Sequence, residues 1–159
     1  MAQPARDSGF TLLEIIVVVG LVSVLAALGV GAWKSWTVAE AQKGAATDLQ
    51  TVMRQTQVRA VTEGKNFCIK FGTPADTYTV YRYACDESPE KVNGPFTLGD
   101  SRVHLAGVQF HQPDGSLTTM VNFRPSGSAW PGELTITRSG SPKTYTLDVE
   151  GLTGRVSVS

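Results

Sequence analysis

The sequence predicts an α+β chain: one long N-terminal helix packed on an antiparallel β-sheet domain. Three observations carry this. The run Ile15 to Trp33 holds 19 residues and no charge. A helical apolar period then continues from Ala45 to Ala60. After Gly64 the period changes to two, with turn residues between the short strands.

The uncharged run comes first. As a helix it would extend roughly 28 Å at about 1.5 Å per residue, close to the hydrocarbon thickness of a bilayer. It is rich in Val, Ile, Leu and Ala, and Gly20, Gly29 and Gly31 within it permit close helix–helix approach. The alternative is a secretory signal peptide cut near Ala32. Two features oppose it: the acid Glu14, not a basic region, opens the run, and a helical pattern continues past Ala32.

Further along, Ala45, Leu49, Val52, Met53, Thr56 and Ala60 fall on one face of a helix. Gln42, Lys43, Asp48, Gln50, Arg54, Gln57 and Glu63 fill the other side, and Gly64 reads as the C-cap. One helix is therefore expected from about Thr11 to Glu63. Its first half is apolar all round and faces lipid or other helices. Its second half is amphipathic and covers a sheet.

Beyond Gly64, Phe67–Phe71 and Tyr78–Tyr83 form a hairpin around Thr73-Pro74-Ala75-Asp76. Val108–His111 and Leu117–Phe123 flank Pro113-Asp114-Gly115-Ser116. Leu134–Thr137 and Tyr145–Val149 flank Ser139-Gly140-Ser141-Pro142, and Arg155–Val158 closes the series. Strands in succession with turns between them mean antiparallel pairing.

Composition limits the chemistry. Lys plus Arg and Asp plus Glu each total 14, so no global charge draws the chain to nucleic acid or anionic lipid. His104 and His111 stand outside any nucleophile or metal motif, and Ser126-Gly127-Ser128 is not a nucleophile elbow. Trp130 beside Pro131 reads as loop packing or a subunit contact. No enzyme, cofactor or metal site is expected. Cys68 and Cys85, on neighbouring hairpin strands, lack metal-type spacing. They permit a disulfide; the alternative is two free thiols.

Gly9-Phe10-Thr11-Leu12-Leu13-Glu14 resembles the prepilin cleavage and methylation site of type IV pilins and type II secretion pseudopilins. The resemblance implies that a prepilin peptidase cuts after Gly9 and methylates the new amino terminus at Phe10. Glycine lets the backbone enter a peptidase site without a side-chain clash. Glu14 at the edge of hydrocarbon is unfavourable unless paired, and in the family this glutamate meets the amino terminus of a neighbouring subunit. A capping box over Thr11-Leu12-Leu13-Glu14 is the simpler reading, but it leaves the Gly-Phe step and the apolar run unaccounted for.

The C-terminal half adds Phe123-Arg124-Pro125-Ser126-Gly127, Leu134-Thr135-Ile136, Tyr145–Val149 and Thr153-Gly154-Arg155-Val156. Together these resemble the GspH/FimT domain of H-type minor pseudopilins and FimT/FimU-type minor pilins. The implied organisation is a leader at 1–9, a transmembrane helix half at 10–33, an amphipathic half at 34–63 and a GspH/FimT-like β domain at 64–159. The implied function is a minor pilin or pseudopilin, a structural subunit of a type II secretion pseudopilus or a type IV pilus. Its implied partners are prepilin peptidase, other pilin subunits, the assembly platform and ATPase, and inner-membrane lipid. The protein would cross the inner membrane once, with the β domain outside the cytoplasm, and minor subunits of this branch commonly sit near the filament tip. Some FimT-like pilins also take up DNA through a Gly-Arg-x-Arg stretch. Here Gly154-Arg155-Val156-Ser157 lacks the second arginine, and Arg124, Arg138, Lys143 and Arg155 are the only lysines and arginines after His104. DNA binding is therefore the alternative function, not the leading one.

Overall fold

The protein is described by a computed structural model that covers residues 11–85 and 89–159, with side chains described outside 28–38. Helix α1 (Leu12–Glu63) contributes to two compact units, one reaching to Val38 and the other formed by Ala39–Ser159. In the first unit, Thr11 opens the helix: its Oγ1 accepts from the Glu14 amide at 3.2 Å and its carbonyl from the Ile15 amide at 3.2 Å. Every side chain from Thr11 to Ala27 is exposed, although most are large aliphatic groups.

Among the described residues, no helix is long and apolar enough to cross a membrane. The run read from the sequence, Ile15 to Trp33, ends among residues 28–38, whose side chains lie outside the described set.

In the second unit, α1 ends at Glu63, and Gly64 turns the chain with φ 63°, a left-handed cap that glycine adopts without strain. Among the described residues, nine strands follow. One sheet has the order β3-β2-β1-β6: β1 (Phe67–Gly72), β2 (Thr77–Arg82), β3 (Glu90–Thr97) and β6 (Met120–Phe123). The other has the order β5-β4-β7-β8-β9: β4 (Val103–His111), β5 (Leu117–Thr118), β7 (Gly132–Arg138), β8 (Tyr145–Val149) and β9 (Val156–Val158). All pairings are antiparallel.

One core joins the helix to both sheets. Ala45, Ala46, Leu49, Met53 and Ala60 meet Phe67, Ile69 and Phe123 from the first sheet and Phe110, Leu134, Ile136 and Leu147 from the second. Leu49 and Met53 are fully buried; each such side chain contributes about 1.5–3 kcal/mol relative to exposure. Phe71 stacks on Phe110 across the two sheets, centroids 5.8 Å apart.

Several expectations are corrected. The stretch Leu117–Phe123 is not one strand: β5 pairs with β4 for two residues, and β6 then crosses to the other sheet beside β1. Strand β4 begins at Val103, five residues before the alternation suggested. Its inward series shifts from Val103 and Leu105 to Val108 and Phe110, because a bulge at Gly107 (φ 57°) inserts a residue. Strand β3 was missed because it is an exposed edge strand with Asn93-Gly94-Pro95 inside it. Gln42, placed on the solvent side of the helix, is buried.

Candidate functional site

The first candidate site is the helix opening. The cap places Glu14 in the first turn, where a carboxylate also favours the helix dipole. The half of the capping box that uses Thr11 is formed. The Glu14 side chain is exposed, and among the described residues its carboxylate has no hydrogen-bond or ion-pair partner. Gly9 and Phe10 lie outside the described residues. The arrangement sets an acid, unfavourable in hydrocarbon unless paired, at the start of an exposed apolar helix surface, which is unfavourable in water until lipid or another surface covers it.

A second set of residues ties the helix to the β domain. Gln42, Gln50, Arg54 and Gln57 follow the spacing of one helix face. Gln42 Nε2 donates to the Ile136 carbonyl at 3.1 Å and to the Lys143 carbonyl at 2.9 Å. Gln50 Nε2 and Arg54 Nη2 both donate to the Val156 carbonyl at 3.0 Å, so the outer edge of β9 is capped by side chains. Gln57 Nε2 reaches the Gly127 carbonyl at 2.9 Å and the Thr153 carbonyl at 2.7 Å, joining two turns. Gly154 packs into the same junction with φ 62°, and a Cβ there would collide with the Gly127 carbonyl. Sequence reasoning placed these glutamines in solvent. Nothing in a helical period separates a polar residue that faces water from one that faces carbonyls.

Cys68 and Cys85 are joined, Cα atoms 5.7 Å apart, and Cys68 is buried. His104, expected to be isolated, is not. Its Nδ1 lies 2.7 Å from Asp76 Oδ2 and its Nε2 lies 3.1 Å from Ser139 Oγ. Asp76 Oδ1 also accepts from the Leu105 amide at 2.7 Å. The correction is tertiary: Asp76 sits on the β1–β2 turn of one sheet, whereas His104 and Ser139 belong to the other. The order acid–imidazole–hydroxyl resembles a proton relay. However, the Ser139 amide, which would have to face an oxyanion, donates instead to the Arg102 carbonyl at 2.9 Å. The described bonds make this chain a tie between sheets. His111 is exposed at the end of β4.

The remaining ion pairs are surface features. Burial pulls the Glu63 carboxyl up, but hydrogen bonds from Arg82 and Arg59 hold it below its ordinary value. Arg102 holds Asp100 down to about 2 through its side chain and amide. Trp130 is buried, which fits the loop-packing reading and not the subunit contact. The four C-terminal cations fall into two groups. Arg138 and Lys143 bracket the β7–β8 turn. Arg124 and Arg155 lie at the opposite end of β7, roughly 20 Å away at about 3.3 Å per residue.

A capped N-terminal helix with an exposed apolar surface, followed by a helix half covering antiparallel sheets, defines the class: a pilin-like subunit of the kind that builds type II secretion pseudopili and type IV pili. Comparison with protein families agrees at both ends. Residues 4–30 match the prokaryotic N-terminal methylation motif, and residues 45–153 match the type II transport protein GspH. The chain belongs to the GspH family. No curated protein matches it. Two structures of the minor pseudopilin EpsH from the type II secretion system of Vibrio cholerae are similar, with TM-scores of 0.59 and 0.57 at 15% identity. The first of these scores covers 76% of this chain and 94% of EpsH. The type IV minor pilin FimU of Pseudomonas aeruginosa PAO1 is similar at TM-score 0.55 and 13% identity, over 78% of this chain and 92% of FimU. At these identities the likeness is one of fold.

Proposed function

We propose that the chain serves as a minor pseudopilin or minor pilin, cut between Gly9 and Phe10, N-methylated at Phe10, and drawn from the inner membrane into a filament. The observation that carries this is the helix opening: Glu14 in a Thr-capped first turn, at the head of a helix surface that is apolar and exposed from Leu12 to Ala27. Such a surface needs lipid or other helices around it. In the filament, Glu14 pairs with the amino terminus of a neighbouring subunit, which offsets the desolvation of both charges and fixes axial register. The β domain stays outside the cytoplasm, where the Cys68–Cys85 bond persists. Assembly requires the platform proteins and ATPase of such a machine.

Co-expression with a prepilin peptidase, followed by intact mass and N-terminal sequencing, tests the reading. A chain that starts at Phe10 with one extra methyl group supports it. An uncut chain, or one that starts near Trp33, overturns it. DNA uptake, the second reading, gains no support from the placement of Arg138 and Lys143 away from Arg124 and Arg155.

A further inference from the structure

One face of the Ala39–Ser159 unit combines exposed apolar groups with a basic rim. Val58 and Val61 expose 59% and 50% of their surface, and Leu152 exposes 88%. The Gln57 junction makes them neighbours. Gln57 bonds the Thr153 carbonyl, next to Leu152 in the chain, at 2.7 Å. Val61 lies one helical turn on, its Cγ2 4.0 Å from where a Cβ on Gly127 would stand. Val58 borders a shallow depression of about 530 Å³ that it shares with Thr51, Arg54, Gln55 and Arg59. Around these groups, Arg54, Arg124 and Arg155 are exposed, and among the described residues no carboxylate pairs with them. Of the nearby acids, Glu63 is paired with Arg59 and Arg82, and Glu150, across the β8–β9 ladder from Arg155, accepts from the Thr153 hydroxyl and keeps its charge, but the three arginines outnumber it.

We propose that this face docks a neighbouring filament subunit of a different kind through an acidic, partly apolar surface on that subunit; this rests on the subunit reading above. An apolar centre with a charged rim is the anatomy of a protein interface. A second copy of this chain presenting the same face would set arginine against arginine. DNA would engage the arginines and leave Leu152, Val58 and Val61 without partners.

The test places a benzophenone amino acid at Leu152 in the full chain, in cells that carry the assembly machinery. A control places it at Lys91, exposed on β3. The expected result is a crosslink from position 152, and not from 91, to an acidic stretch of another subunit. The double substitution Arg124→Glu and Arg155→Glu lowers that crosslink at least about tenfold. Reversing the acids of the mapped stretch to arginine restores it. Both arginines are exposed, so the variant keeps its fold, with only a small fall in melting temperature from the carboxylate set opposite Glu150. A crosslink to a second copy, a crosslink indifferent to the charge reversal, or low-salt binding of a short DNA duplex that the reversal abolishes overturns the proposal. No crosslink from a chain that is cleaved and incorporated overturns this face alone. A chain that is never cleaved overturns the subunit reading, and this proposal with it.

Discussion

Glu14 shows how one residue can serve two purposes. Its amide completes the helix cap on Thr11, and its carboxylate is left at the head of an apolar surface. Glu14→Ala keeps the backbone bond and removes the carboxylate. It is expected to insert and to be cleaved normally, yet to fall well below the parent in the sheared filament fraction; normal incorporation would remove the pairing argument. Gln42 is a second such residue. Gln42→Leu strips the donor from the carbonyls of Ile136 and Lys143 inside the domain, and should lower stability by about 1–3 kcal/mol in urea unfolding. Asp100 provides a pH test. Arg102 holds its carboxyl at about 2, below its usual 3.8. A carboxylate with a depressed native value stabilises the fold above its unfolded value, and that contribution fades as pH falls from about 4 to 2. In an NMR titration the Asp100 carboxyl should move at about pH 2, and in Arg102→Ala it should return towards the ordinary carboxylate range.

At the scale of elements, the disulfide and the edges matter most. Cys68 and Cys85 close a loop of sequence separation 17 between β1 and the segment after β2. Cys85→Ser should cost about 3 kcal/mol by loop entropy, with reducing agent lowering the parent's melting temperature and leaving the variant's unchanged. Elements with an unbroken period were legible: the helix stripe, β1 with β2, and β7 with β8. Those that the sequence hid have physical reasons. The bulge at Gly107 breaks the alternation of β4, and β3 has an exposed edge with little apolar content to mark it. The break between Thr118 and Met120, where the chain leaves one sheet for the other, is Thr119 alone, with no glycine or proline to mark it.

At the scale of the molecule, two sheets and one helix half share a single core in the Ala39–Ser159 unit. Phe71 and Phe110 meet at its centre, one from each sheet. Phe110→Ala should therefore loosen both sheets together, costing about 3–5 kcal/mol. Hydrogen exchange should show the amides of β1 and β8 losing protection in parallel. Loss confined to the second sheet would mean that the sheets are independent. In contrast, the unit up to Val38 contributes no described core, since its side chains from Thr11 to Ala27 are all exposed. Its stability is the business of whatever surrounds it.

The sequence by itself determined the class. Helical period, strand period and an acid before an apolar run are local patterns, written in consecutive residues and readable without partners. The Gly-Phe step and the Glu at its fixed spacing are equally local, which is why the methylation motif matched over residues 4–30 was legible. Only the tertiary structure decided which polar groups face carbonyls rather than water. Gln42 and Gln57 meet their acceptors across 94 and 70 residues, and Asp76 finds His104 across 28. Hydrogen bonds are directional and short. Whether a glutamine makes one therefore depends on where a distant strand comes to rest, and no local pattern records that.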